Sequence, residues 1–203
     1  CYNSIMSIDA SSFLDTGILP TAVDTFNALQ ASHPDLRIAT LDLLLDSVSE
    51  DERVLVLGVC ALDAAAYGVK FPRILTEEPA DLVKIEPQPY VHDSHVKYLG
   101  PQYVTEQFGE SFAEMNERMN RNLGHGLLMQ SGYRSPAYQA ITFLRELHKN
   151  DGDVGKTVRV VAPPFHSEHN DTQQLAADFM RPQFSGANTH FELTDQYQWL
   201  GEN

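Results

Sequence analysis

Apolar positions recur at helical spacing through the first part of the chain. Leu41, Leu44, Leu45 and Val48 fall on one stripe and are followed by Ser49-Glu50-Asp51-Glu52, an acidic helix start. The helix it opens is expected to carry Val54, Leu57, Cys60, Ala61 and Ala64. Residues 1 to about 80 therefore read as helical, with these two helices packed on each other or on the next domain. Asp42, Asp46 and Asp63 read as solvent-facing carboxylates rather than a catalytic pair. Pro72, Pro79, Pro87 and Pro89 then crowd residues 71 to 90. Each ring removes an amide donor and pushes the preceding residue toward extended conformations, so this stretch reads as a linker or wrapping arm.

From Thr105 to Leu123 the residues Phe108, Phe112, Met115, Met119 and Leu123 share one face, and Glu114, Glu117, Arg118 and Arg121 lie elsewhere, which predicts an amphipathic helix. Gly126-Leu127-Leu128-Met129-Gln130 reads as a short buried strand. Ser135 followed by Pro136 starts a helix, with serine as cap and proline in the first turn. That helix runs through Ala140, Ile141, Leu144 and Leu147 and stops near Lys149-Asn150-Asp151-Gly152. Thr157 to Val161 alternates as a strand, and Leu175 to Phe179 reads as another. Thr194 caps a final helix with Asp195 in its first turn. Helices mixed with short strands, with no regular βαβ repeat, predict an α+β fold.

Composition narrows the choice of function. With 14 basic against 28 acidic residues and a net charge of -14, the chain lacks the basic surplus that phosphate-backbone binding needs, so no nucleic-acid partner is expected. An apolar fraction of 42% and a charged fraction of 21% fit a folded protein. No run approaches the roughly 20 apolar residues of a membrane-spanning helix. Cys60 sits in the apolar run VLVLGVCALDAAAYGV and reads as a buried thiol, so a disulfide framework is not supported. Cys1 is either the lipid-modified residue of a processed bacterial lipoprotein or simply where a fragment begins.

The chemistry concentrates in PPFHSEHNDTQQLAADFM. There Ser167-Glu168-His169 is followed by Asp178, and an imidazole and a carboxylate so placed can converge on one divalent metal if the residues between them form a loop. Upstream stands Ser131-Gly132-Tyr133-Arg134-Ser135, with Gln139 beyond it. Together the two segments resemble the zinc-dependent D-alanyl-D-alanine carboxypeptidases of the VanY type, whose pattern Ser-x-His then Ala-x-Asp is matched by Ser167, His169, Ala176 and Asp178. The resemblance implies a zinc metallopeptidase of the hedgehog/D-Ala-D-Ala-peptidase fold, a small antiparallel sheet flanked by helices. Its substrate would be a peptidoglycan stem peptide or another D-Ala-D-Ala-containing peptide of the bacterial cell wall. It implies zinc held by His169 and Asp178, and Arg134 stabilising the oxyanion or recognising the substrate carboxylate. It also implies a substrate-binding and orienting shell of Ser131, Tyr133, Gln139 and Ser167. The corresponding domains are residues 1–81, a helical N-terminal extension, and 82–203, a carboxypeptidase-like domain. Its location would be the cell envelope, periplasmic or extracellular, with a lipid anchor at Cys1 as one alternative.

Two departures from the family pattern stand out. Eight residues separate His169 from Asp178 where the family commonly has six, and Gln174 stands near the expected glycine. Tyr197, Trp199, Leu200, Glu202 and Asn203 match a helix that in the family precedes the last histidine ligand and the general-base glutamate, so both are expected beyond Asn203. Among the other histidines, His190 is the nearest substitute. His92 and His95 would suit a metal only if VHDSHVKY were helical, and His125 reads as a turn residue. Glu168 should point away from its neighbour His169, as adjacent side chains do on an extended backbone. The rival reading is a non-catalytic module that binds peptidoglycan or a protein on the same fold, and a third is a structural surface lipoprotein.

Overall fold

The computed structural model describes residues 17–74, 81–173, 175–184 and 190–203. In chain order the helices are α1 (Leu19–Ser32), α2 (Leu41–Asp46), α3 (Glu50–Cys60), α4 (Glu106–Leu123), α5 (Pro136–Lys149), α6 (Val154–Thr157) and α7 (Asp195–Glu202). The strands are β1 (Leu82–Ile85), β2 (Pro89–His92), β3 (His95–Tyr98), β4 (Gln102–Thr105), β5 (Leu128–Ser131), β6 (Asp178–Met180) and β7 (Gln183–Phe184). The fold is α+β. Two compact units divide it, one formed by Cys1–Glu78 with Arg134–Asp171 and the other by Pro79–Tyr133 with Thr172–Asn203.

The first unit is helical around α5. Ser135 caps that helix by accepting from the Tyr138 amide at 3.1 Å, and Pro136 sits in the first turn, where a missing N–H costs nothing. Phe26 of α1, Leu44 of α2, Leu55, Val56 and Val59 of α3, and Ile141, Phe143, Leu144 and Leu147 of α5 form one buried cluster. Each large apolar side chain so buried contributes roughly 1.5–3 kcal/mol. Ser49 and Glu52 form a reciprocal capping box at the start of α3. Of the expected stripe on α3, Cys60 faces the core and Leu57 packs against it, whereas Val54 is 40% exposed and Leu55, Val56 and Val59 supply the rest of the buried face.

The strand expected at Thr157 to Val161 is not formed. Asp153 caps the short α6 by accepting from the Lys156 amide, and the Val158 and Val161 amides bond back to Val154 and Thr157. Thr157, fully buried, returns its hydroxyl to the Asp153 carbonyl at 2.8 Å. Local capping and burial here override the β preference of the valines.

The second unit combines small sheets with α4 and α7. β1 pairs antiparallel with β4, β5 with β6, and β2 lies between antiparallel β3 and parallel β7. Part of the stretch expected to be a linker is therefore strand, with Pro89 at the first position of β2, where a missing donor is tolerated. Between Leu82–Ile85 and that strand, Gln88 pairs both ends of its carboxamide with the Met129 backbone, at 3.0 Å each way. Pro79 lies outside the described residues. The expected amphipathic helix forms as α4, capped by Thr105, and packs Met119 with Leu127 and Trp199. Asn116 of α4 reads the Leu127 backbone in the same two-handed way as Gln88 reads Met129, at 2.8 Å for each bond. The strand expected from Leu175 is shorter, beginning at Asp178. Among the described residues no helix is long and apolar enough to cross a membrane.

Candidate active site

In the second unit, β5 runs into Ser131-Gly132-Tyr133. Ser131, 4% exposed, stands opposite Asp178 in the β5–β6 register, so the strand pairing brings two of the sequence-nominated residues together. Asp178 is exposed at the start of its strand. The glycine between Ser131 and Tyr133 has a steric cause. A Cβ at Gly132 would collide with the Tyr103 carbonyl oxygen and lie 2.9 Å from Val104 Cγ1. That same carbonyl accepts the Tyr133 amide at 2.6 Å, and Tyr133 is 3% exposed. Tyr133 is thus fixed by backbone as well as by burial.

In the first unit, Arg134 and the His169 segment meet. The Arg134 amide donates to the His169 carbonyl at 2.9 Å, and the Arg134 carbonyl accepts from the Asn170 carboxamide across 36 residues of sequence. One residue further on, the Ser135 amide donates to the Arg37 carbonyl at 2.8 Å. His169 lies in a single 3₁₀ turn, Glu168–Asn170, whose preceding residue Ser167 is buried and accepts the His169 amide at 3.3 Å. Glu168 is exposed, in a turn rather than on an extended backbone. The approach to this turn is held by His166 Nδ1, which donates to the Phe71 carbonyl at 3.1 Å, and by the Ile74 amide bonding to Phe165. Phe165 has a φ of 66°, a left-handed conformation rare for an aromatic residue, under the Arg73 guanidinium at 4.9 Å. Gln139, 1% exposed, donates to the Ala162 carbonyl at 2.7 Å.

The structure thus gathers Arg134, Gln139, Ser167 and His169 in one unit and Ser131, Tyr133 and Asp178 in the other. Imidazole and carboxylate are both donors that zinc takes, and His169 and Asp178 each offer one within its own unit. Among the described residues no group of three His, Cys, Asp or Glu is placed to hold a metal ion. The other histidines have different settings. His92 and His95 are not helical: they face each other across the β2–β3 hairpin, whose turn residues Asp93 and Ser94 have φ of 49° and 66°. His190 is exposed and pairs with Glu192 at 3.3 Å. His125 lines a polar cleft of about 520 Å³ in the second unit, with Arg181 and Asp195 among its neighbours. Gln174 lies outside the described residues.

Sequence reasoning passed over Asn170. An asparagine in the polar run His-Asn-Asp-Thr-Gln-Gln reads as solvated loop, yet it is 1% exposed. Only its distance from Arg134 in space, which the sequence does not state, distinguishes it.

A family model of D-alanyl-D-alanine carboxypeptidases matches residues 101–203, just over half of the chain, beginning later than the resemblance near residue 82. The chain belongs to that family, VanY. No curated protein and no solved structure matches it.

Proposed function

We propose that this member of the family is a zinc-dependent D,D-carboxypeptidase or dipeptidase-like hydrolase of bacterial cell-wall peptides, working in the periplasm or outside the cell. The observation that carries this reading is the 2.9 Å bond from the Arg134 amide to the His169 carbonyl, which joins the two motif segments. His169 and Asp178 serve as zinc ligands, and zinc when bound supplies a Lewis acid that acidifies water and polarises a peptide carbonyl. Arg134 places a guanidinium for the negative charge that grows on the scissile carbonyl or for the terminal carboxylate of a D-Ala-D-Ala peptide. Ser131, Tyr133, Gln139 and Ser167 hold that arginine and the substrate in register, each of them being buried.

Two measurements test this. Zinc affinity is read by competition with a chromophoric chelator for the wild type, His169→Ala and Asp178→Asn. D-alanine release from an acylated D-Ala-D-Ala peptide is read for the wild type and Arg134→Ala. Loss of a ligand should lower zinc affinity by more than the ~10- to 100-fold typical of an outer-shell change. Unchanged affinity in both variants would refute the ligand assignment. Zinc and peptide bound with no D-alanine released would identify the binding module instead, the reading favoured by eight rather than six residues between His169 and Asp178.

A further inference from the structure

We infer that Asn170 is a positioning residue of the site, fixing the His169 turn against Arg134. The inference rests on the reading of His169 as a metal ligand and names the residue that holds that ligand in place.

The Arg134 backbone is held on both sides of its Cα by two consecutive residues. Its N–H is taken by the His169 carbonyl at 2.9 Å, and its C=O is taken by the Asn170 carboxamide. A pair of backbone strands would meet the same two groups with two backbone partners. Here the chain turns at Asn170, whose own amide bonds back to the Ser167 carbonyl at 2.8 Å, so the side chain replaces the second backbone donor. The turn that carries His169 is closed within itself by that bond and by the Asp171 amide to Glu168 at 3.2 Å. A closed turn moves as a unit. Two bonds, one to each peptide group flanking the Arg134 Cα, then remove the freedom to pivot that a single bond would leave.

The unused half of the carboxamide sharpens the case. Asn170 Oδ1 is buried and has no hydrogen-bond partner. A buried polar atom left unsatisfied is costly, so burial alone would favour an apolar side chain at this position. What asparagine offers there and an apolar residue does not is the N–H donor to Arg134. Leu or Ala would fill space and release the clamp; aspartate would keep the shape but set an oxygen against the Arg134 carbonyl. The demand for such a clamp is chemical: a site built from residues distant in sequence works only when its groups are held within about 0.5 Å of productive geometry.

The test compares zinc affinity at a temperature well below the thermal midpoint for the wild type, Asn170→Ala, Asn170→Asp, His169→Ala and Thr157→Val. Thr157 is also fully buried in this unit but bonds the Asp153 carbonyl, so its variant reports destabilisation without the clamp. Circular dichroism confirms folding, and Asn170→Asp, of unchanged shape, stands in if Asn170→Ala does not fold. Both Asn170 variants should lose zinc affinity ~10- to 100-fold, the range for residues that orient a ligand, and Thr157→Val should lose none. Wild-type affinity in the Asn170 variants, beside a loss in His169→Ala, would overturn the inference and leave the zinc reading standing. An equal loss in Thr157→Val would overturn it too, because affinity would then follow stability. Unchanged affinity in His169→Ala would remove the metal reading and this inference together.

Discussion

Replacing Gly132 by alanine adds one methyl group at a glycine hemmed in by backbone and side chains. The new Cβ would lie 2.9 Å from Val104 Cγ1 and 3.2 Å from Met129 Sδ, and closer still to the Tyr103 carbonyl oxygen. The two side chains can rotate away by a few tenths of an ångström. The carbonyl cannot, because it belongs to β4 and accepts the Tyr133 amide at 2.6 Å. Relief therefore requires β4 and the segment after β5 to part. Overpacking of this kind costs about 1–3 kcal/mol, and a lost backbone hydrogen bond adds about 1 kcal/mol. The sum, about 2–4 kcal/mol, corresponds to a fall in the thermal midpoint of roughly 4–16 °C for a chain of this length. The assay is thermal unfolding followed by circular dichroism, with Gly100→Ala as control, since a Cβ there meets nothing within 4 Å. The control should stay within about 0.5 kcal/mol of the wild type. A Gly132→Ala protein melting within about 1 °C of the wild type would show that the glycine is not there for space.

Glu52 gives a pH-dependent prediction. Burial pushes its carboxyl upward, but the Thr25 hydroxyl at 2.6 Å and the Ser49 amide and hydroxyl, both at 2.8 Å, outweigh that and hold it below the ordinary value of 4.5. A carboxyl depressed in the folded state contributes stability that is fully present above the unfolded value and is lost as pH falls through the folded one. Urea midpoints for the wild type should therefore drop more steeply below pH 4.5 than those for Glu52→Gln, and parallel curves would contradict the assignment. Cys60 gives another. Burial pushes its thiol up to about 12, so on a Cys1→Ser background a water-soluble disulfide reagent should label the folded protein negligibly and the unfolded protein stoichiometrically. Rapid labelling under native conditions would place that thiol at the surface.

Local signals in the sequence were reliable where the physics is local. Ser135-Pro136 marks the start of α5 because a cap and a ring act within one turn, and the same holds for Thr105 and Thr194. The α+β class follows from these elements. Thr157 to Val161 misleads because its valines favour strand, while a cap at Asp153 and a buried threonine close a short helix at Thr157 that runs on into turns. His92 and His95 would suit a metal only on a helix, and the three-residue spacing belongs instead to a tight hairpin. The motif residues were legible as chemical types, but the backbone bond of Arg134 to His169 was not. Asn170 was not legible, because its importance lies in a contact 36 residues away. Gly132 was legible as part of a motif but not as a steric necessity, which only the path of β4 supplies.

The helix just after Arg134 draws its packing from residues that no family comparison touches. Phe26, Leu44 and Leu55 lie outside the matched span of 101–203, yet they share one core with Ile141, Phe143 and Leu144 of α5. A random library scored for cell-wall peptide hydrolysis should consequently return inactivating hits at Phe26, Leu44 and Leu55, positions with no chemistry to lose. Read without the structure, such hits would suggest a second functional centre. They would instead be reporting on the footing of α5.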